Sequence, residues 1–313
     1  MKIILGALLL IWALGVCAQD YPNRPVRLLV GFAPGGGMDT IARLIAPKLA
    51  DSLGQPFLVE NRTGAGGALA ADALVRAAPD GYVLLLAESG TLIVPAMNPK
   101  AAYDPVKQFA AVGGVCALPL ALVSSTSFPA ANVQELISLL KASPGKYSYA
   151  SPGVGTLQHL AFELFMRAAG VQAVHVPYKG ATAMMPDLMS GQVPIGVVSA
   201  LAGVSQARGG KIRALAVTSA QRLPNAPEIP ALAETIAGFE AAPNVFLVAP
   251  AGFSSDKLSN AVRAAVTSPD VQESFSKQGA TPMPAQPGEL AARISAETRR
   301  WSAVVKDAGI KAE

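Results

Sequence analysis

The sequence predicts an α/β chain folded into two lobes. Three observations carry that reading. Short apolar runs alternate with helical patterns, the order that builds a sheet covered by helices. Two glycine-rich strand-to-helix turns, Gly35–Asp39 and Gly153–His159, lie far apart in matching contexts. A chain of 313 residues exceeds one small core and suits two. It is 51% hydrophobic and 15% charged, which excludes a disordered chain. The net charge of +4 is mild and spread out. No basic cluster carries interleaved aromatics, so no nucleic-acid partner is expected.

Taken in order, residues 1–18 read as a signal peptide. Lys2 supplies the positive start, Ile3 to Val16 the apolar run, and Val16-Cys17-Ala18 a small-residue cleavage site that leaves Gln19 first. Lipoprotein processing at Cys17 is the alternative. Cleavage after Ala18 leaves Cys116 alone, in an apolar run, so a disulfide framework is not expected.

Val26–Val30 reads as a buried parallel strand. It feeds the turn Gly31-Phe32-Ala33-Pro34-Gly35-Gly36-Gly37-Met38-Asp39-Thr40, and a helix of about Asp39–Leu53 follows, closed by Gly54. Glycines before a helix N-terminus let backbone amides approach an anion. The same residues also suit a plain turn with Asp39 as N-cap. Phe57–Asn61 is a second strand, followed by a second Gly-rich turn, Gly64-Ala65-Gly66-Gly67. Val83–Ala87 is a third, ending at Glu88-Ser89-Gly90. There Glu88, Ser89 and Thr91 either touch a ligand or serve as ordinary turn residues.

Phe109–Cys116 and Leu118–Val123 are further strand candidates. Ser151-Pro152-Gly153-Val154-Gly155-Thr156 then repeats the opening device after Tyr147–Ala150. An amphipathic helix follows, with Leu157, Leu160, Leu164 and Phe165 on one side. Val174–Pro177, Val193–Val198 and Ala214–Thr218 read as strands. Pro224, Pro227 and Pro230 mark Leu223–Pro230 as a linker. Val245–Ala249 is a last strand, and helices occupy about Asp256–Thr267, Val271–Lys277 and Pro287–Val305.

The chemistry of these turns is quiet. Neither is followed by the Lys of a phosphate loop, and Thr40 stands where a dinucleotide fingerprint needs Gly or Ala. His159 and His175 lack the company a metal site requires, and no Gly-x-Ser-x-Gly elbow occurs. No catalytic residue, metal or cofactor is assigned. An exported hydrolase using Ser151 and His159 is a minor alternative. A scaffold or sensor partner with weak or lost binding is another.

The residues resemble a known family. Pro34-Gly35-Gly36-Gly37-Met38-Asp39, Val59-Glu60-Asn61-Arg62-Thr63-Gly64-Ala65-Gly66-Gly67, Pro79-Asp80-Gly81-Tyr82, Gly155-Thr156-Leu157-Gln158-His159-Leu160 and His175-Val176-Pro177-Tyr178-Lys179-Gly180 occur in the order seen in the tripartite tricarboxylate transporter receptors, the Bug proteins. The resemblance covers essentially the whole mature chain. It implies a periplasmic binding protein of type II fold, each lobe a mostly parallel sheet flanked by helices. Residues 19–118 plus 223–313 would form lobe 1 and 119–222 lobe 2, joined by two crossover strands. It implies a monomeric periplasmic receptor for a small carboxylate, with a membrane transporter or sensor as partner. Ala33, Gly35, Gly36 and Gly37 on one side, and Ser151, Val154, Gly155 and Thr156 on the other, would hold the carboxylate, with His159 nearby; Phe32, Ser89 and Ser199 complete the expected ligand-binding residues. Members of the family often carry Asp-Asn where this chain has Val198-Ser199, which argues against an amino-acid ligand.

Overall fold

The computed structural model describes residues 21–98 and 101–311. The expected leader, with Cys17 and the cleavage point after Ala18, lies outside them. β1 (Val26–Val30) is buried except at Arg27, as a strand covered on both faces must be. Successive side chains alternate faces. Val26, Leu28 and Val30 meet Ile41, Ile45 and Leu49 of α1 (Gly37–Leu53). Leu29 points the other way, to Ala70, Ala71 and Leu74 of α2 (Ala68–Val75). β2 (Phe57–Asn61) and β3 (Val83–Glu88) pair in parallel on either side of β1. α3 (Ser89–Met97) starts directly at the end of β3, and α4 (Pro105–Gln108) leads into β4 (Phe109–Ala117). Cys116 is buried there, and burial pushes its thiol well above the ordinary range.

The chain then crosses over. β5 (Leu120–Ser125), α5 (Val133–Ala142), β6 (Ser148–Ser151), α6 (Leu157–Ala169), β7 (Val174–Pro177), α7 (Ala181–Ser190), β8 (Ile195–Ser199), α8 (Ala200–Arg208) and β9 (Ile212–Val217) build the second unit. β10 (Asn244–Pro250) returns to the first, followed by α9 (Asp256–Thr267), α10 (Pro269–Lys277), β11 (Thr281–Pro282) and α11 (Pro287–Asp307). The first sheet runs β11-β4-β10-β3-β1-β2 and the second β7-β6-β8-β5-β9.

Both sheets are mixed. β2, β1 and β3 are parallel, as are β7, β6 and β8, but β10 runs against β3 and β4, and β5 against β8 and β9. The reason is geometric. A strand arriving from the other lobe begins at the junction where β3 and β8 end, so it must run against them. The crossovers are tied together there by Leu118 N donating to Pro243 O at 2.7 Å.

Three further features depart from sequence expectation. α3 replaces a turn, although it holds Gly90 and Pro95. Leu223–Pro230 is no free linker: Leu223, Ala226 and Ile229 are buried against Val204 and Val217, and Arg222 pairs with Glu234 at 2.7 Å. α11 is shared between cores. Leu290 and Ile294 pack on the first sheet with Leu74 and Phe246, whereas Trp301, Val304 and Val305 pack in the second core with Leu160 and Phe162.

Candidate functional site

The carboxyl ends of β1, β3, β6 and β8 converge on one cleft between the sheets, where ligands of open α/β folds sit. Its volume is about 720 Å³. Phe32, Gly37, Val154, Gly155, Thr156 and Ser199 line it, together with Leu118, Leu120 and Pro243 from the crossovers. Residues at the starts of α1, α3, α6 and α8 all reach its walls. Helix N-termini carry unpaired amides and partial positive charge.

On the first wall, the glycine turn is positioned by backbone packing. A Cβ on Gly31 would fall 2.6 Å from Gly67 Cα, so the two Gly-rich turns of this lobe touch backbone to backbone. α1 begins at Gly37 with Gly36 as N-cap and no capping side chain. The amides of Gly37, Met38 and Asp39 therefore have no acceptor within the helix. Asp39 is not the cap the sequence suggests. It sits in the third helical position, buried, and reaches back to accept from Gly35 N at 2.9 Å. It also accepts from Arg43 Nε and Asn61 Nδ2, each at 2.9 Å. The Arg43 bond, then those from Gly35 and Asn61, hold its carboxyl far below the usual range. Ala33, Gly35 and Gly36 are exposed on the turn, outside the cleft lining.

On the second wall, Thr156 caps α6. Its Oγ1 accepts from His159 N at 3.3 Å and donates to Gly153 O at 2.8 Å. Gly155 N is consumed by His159 Nδ1 at 3.0 Å. The amides of Leu157 and Gln158, both lining residues, remain without an acceptor in the helix. His159 is 4% exposed and stacks on His175, ring centroids 3.8 Å apart, beside Tyr149. Ser151 has no exposed surface, and its Oγ lies 2.7 Å from His175 Nε2. Burial, then the neighbouring His159, pushes His175 down to about 4. Burial works against the Glu163 carboxylate, but bonds with His159 and Tyr149 hold it below its ordinary value.

Besides Ala33, three polar sequence candidates do not present side chains to the cleft. Ser151 and His159 brace the second turn from behind. Ser89 is fully buried, donates to Glu297 Oε2 at 2.6 Å and accepts from Asn244 N at 2.8 Å. The serine partnered by a histidine is matched with His175, not His159, and lies away from solvent. Among the described residues, no cluster of three His, Cys, Asp or Glu is placed to hold a metal.

Sequence reasoning also underrated parts of the lining. Ile41, Val94, Met97, Leu157 and Leu201 make the walls largely apolar. Glu88 is the one ionisable residue among them. The walls touch at two points. A Cβ on Gly155 would fall 2.7 Å from Met97 Sδ, and one on Gly279 2.9 Å from Leu201 Cβ.

The family model described as tripartite tricarboxylate transporter family receptor matches residues 41–310. The chain belongs to this family. Among curated relatives, Protein BugT of Bordetella pertussis is 36% identical over 302 residues, spanning 95% of this chain and 93% of its own. A solved R. palustris protein with adipate is 33% identical, with a TM-score of 0.76 over 93% of this chain and 99% of that one. MatC from Rhodopseudomonas palustris, solved with bound malate, is 33% identical, with a TM-score of 0.72 over 91% and 100%. A tripartite tricarboxylate transporter receptor is a solute-binding protein, and both bound solutes are carboxylates. Among the described residues of this receptor, no helix is long and apolar enough to cross a membrane.

Proposed function

We propose that this receptor captures a small organic carboxylate in the periplasm and delivers it to a membrane transporter. The observation that carries the reading is the pairing of two helix starts with open amides across one cleft: α1 at Gly37 on one wall, and α6 at Leu157 and Gln158 on the other. Such amides favour an anion and carry no reactive group. Bridging waters extend their reach at little cost, since a water-mediated bond nearly equals a direct one. The apolar walls suit an aliphatic or aromatic body behind the carboxylate. The malate and adipate seen in the two relatives belong to the same chemical class. The lobes close around the ligand by bending at Leu118-Pro119 and Pro243, the crossover points that line the cleft floor. In this reading Phe32, Gly37, Val154, Gly155, Thr156 and Ser199 face the ligand, while Ser89, Ser151 and His159 support the walls. Calorimetry on ligand-stripped protein tests it with mono-, di- and tricarboxylates. Saturable binding by one class is expected; no heat across the whole panel overturns it.

A further inference from the structure

Glu88 is out of place in an anion-binding cleft. It caps the end of β3, immediately before α3, and its side chain makes no cap bond to that helix. Among the described residues no hydrogen bond or ion pair engages its carboxylate, and every other lining side chain is neutral. Its position is nevertheless defined. A Cβ on Gly90 would meet Glu88 Oε1 at 2.6 Å, so the carboxylate is folded beside the first turn of α3 without accepting from its amides. The protein packed around it pushes the carboxyl up to about 7. Glu88 is half-buried in an otherwise neutral and largely apolar lining, where an ionised carboxylate without a partner is costly unless the ligand supplies one.

The cleft therefore has two chemically opposite ends. The starts of α1 and α6 offer open amides to an anion. The start of α3 is already faced by the protein's own negative charge. We propose that Glu88 sets the specificity of the cleft, selecting a ligand that carries a protonated nitrogen as well as a carboxylate. The nitrogen lies at Glu88 and the carboxylate at α1 and α6, with an uncharged body along the apolar walls. A dicarboxylate whose second group reaches Glu88 is repelled. The assignment rests on the carboxylate reading above and narrows it. It also revises the sequence-level argument against an amino-bearing ligand, because the acidic partner comes from the end of β3 instead of the end of β8.

The test is calorimetry at pH 8 on the ligand-stripped full mature chain with three matched series of unbranched acids: ω-amino carboxylates, dicarboxylates and plain monocarboxylates of equal chain length. In the wild type the ω-amino series is expected to bind at least about tenfold tighter than the dicarboxylates. Glu88→Gln is expected to drop the ω-amino acids to the level of the monocarboxylates and to improve the dicarboxylates. Gly90→Ala displaces the carboxylate without changing charge, and is expected to narrow the preference; circular dichroism checks that each variant is folded. Dicarboxylates binding as tightly as ω-amino acids in the wild type overturn the assignment. So does a ranking that Glu88→Gln leaves unchanged. In both cases the carboxylate reading survives, because acids still bind. Silence from all three series overturns the carboxylate reading and the Glu88 assignment together.

Discussion

Asp39, buried behind the first turn, and Glu88, in the cleft wall, are two carboxylates with opposite environments, and their values shift in opposite senses. Asp39 is held ionised by Arg43, Gly35 and Asn61. A carboxyl lowered on folding contributes stability that is present above its ordinary value of 3.8 and lost as the pH falls below it. Asp39→Ala leaves Gly35 N and Asn61 Nδ2 without that acceptor, which should cost about 1–3 kcal/mol at pH 7. Urea melts should show the gap to wild type shrinking below pH 4 or so. Glu88 is the reverse case. Its carboxyl is raised from 4.5 to about 7, so the folded, empty cleft binds the proton more tightly than the unfolded chain. Stability then falls as the pH rises between those two values. Glu88→Gln should be more stable than wild type at pH 8, by on the order of 2 kcal/mol, and equal to it at pH 4. Thermal melts of the ligand-free proteins at the two pH values check this.

At the scale of elements, the second turn is held by its own helix. His159 Nδ1 occupies the Gly155 amide, and Thr156 ties the cap to Gly153. His159→Phe keeps a ring against His175 and Tyr149 but removes the acceptor. The freed amide lets the turn wander, and carboxylate affinity should fall about tenfold while the fold is kept. Titration calorimetry and circular dichroism read the two effects separately. Local pattern reveals the frame of these elements well. Both glycine turns, the runs that became β1, β2, β3 and β10, and the helix after Thr156 could all be read from it. What escaped is tertiary. α3 begins Ser89-Gly90 and contains Pro95, residues that read as a turn until Leu92 and Val94 are seen buried. Ser151 pairs with His175 because β6 and β7 are neighbours in the sheet, a register that spacing cannot supply. Glu88 reads as a turn residue because neither its place in the cleft wall nor its lack of a partner is a local property. The antiparallel run of β5 and β10 follows only once both are known to start at the cleft.

At the scale of the molecule, the two sheets are bound by more than the crossovers. Ile93 of α3 and Trp301, Val304 and Val305 of α11 sit in the second core, while both helices start against the first sheet. A buried network reinforces this seam. Glu297 accepts from Ser89 and from Asn244 Nδ2, and Asn244 follows directly on the crossover residue Pro243. Burial raises the Glu297 carboxyl, partly offset by those two bonds. The proposed hinge closure would therefore bend the crossovers while α3 and α11 stay docked, which favours a small rotation over a wide swing. Folding is coupled through the same seam. Trp301 is fully buried, and Trp301→Ala should cost about 3–5 kcal/mol. That loss falls on the second core alone, because Leu290 and Ile294 keep the first half of α11 on the first sheet. Wild-type protein should unfold in urea as one transition. In Trp301→Ala the second core should melt at lower urea than the first, splitting the curve. Hydrogen exchange should report early loss of protection in β5, β6 and β8 with β1, β3 and β10 still protected. A single transition shifted as a whole would instead show that the crossovers alone couple the lobes, and that α11 merely rides on the second core.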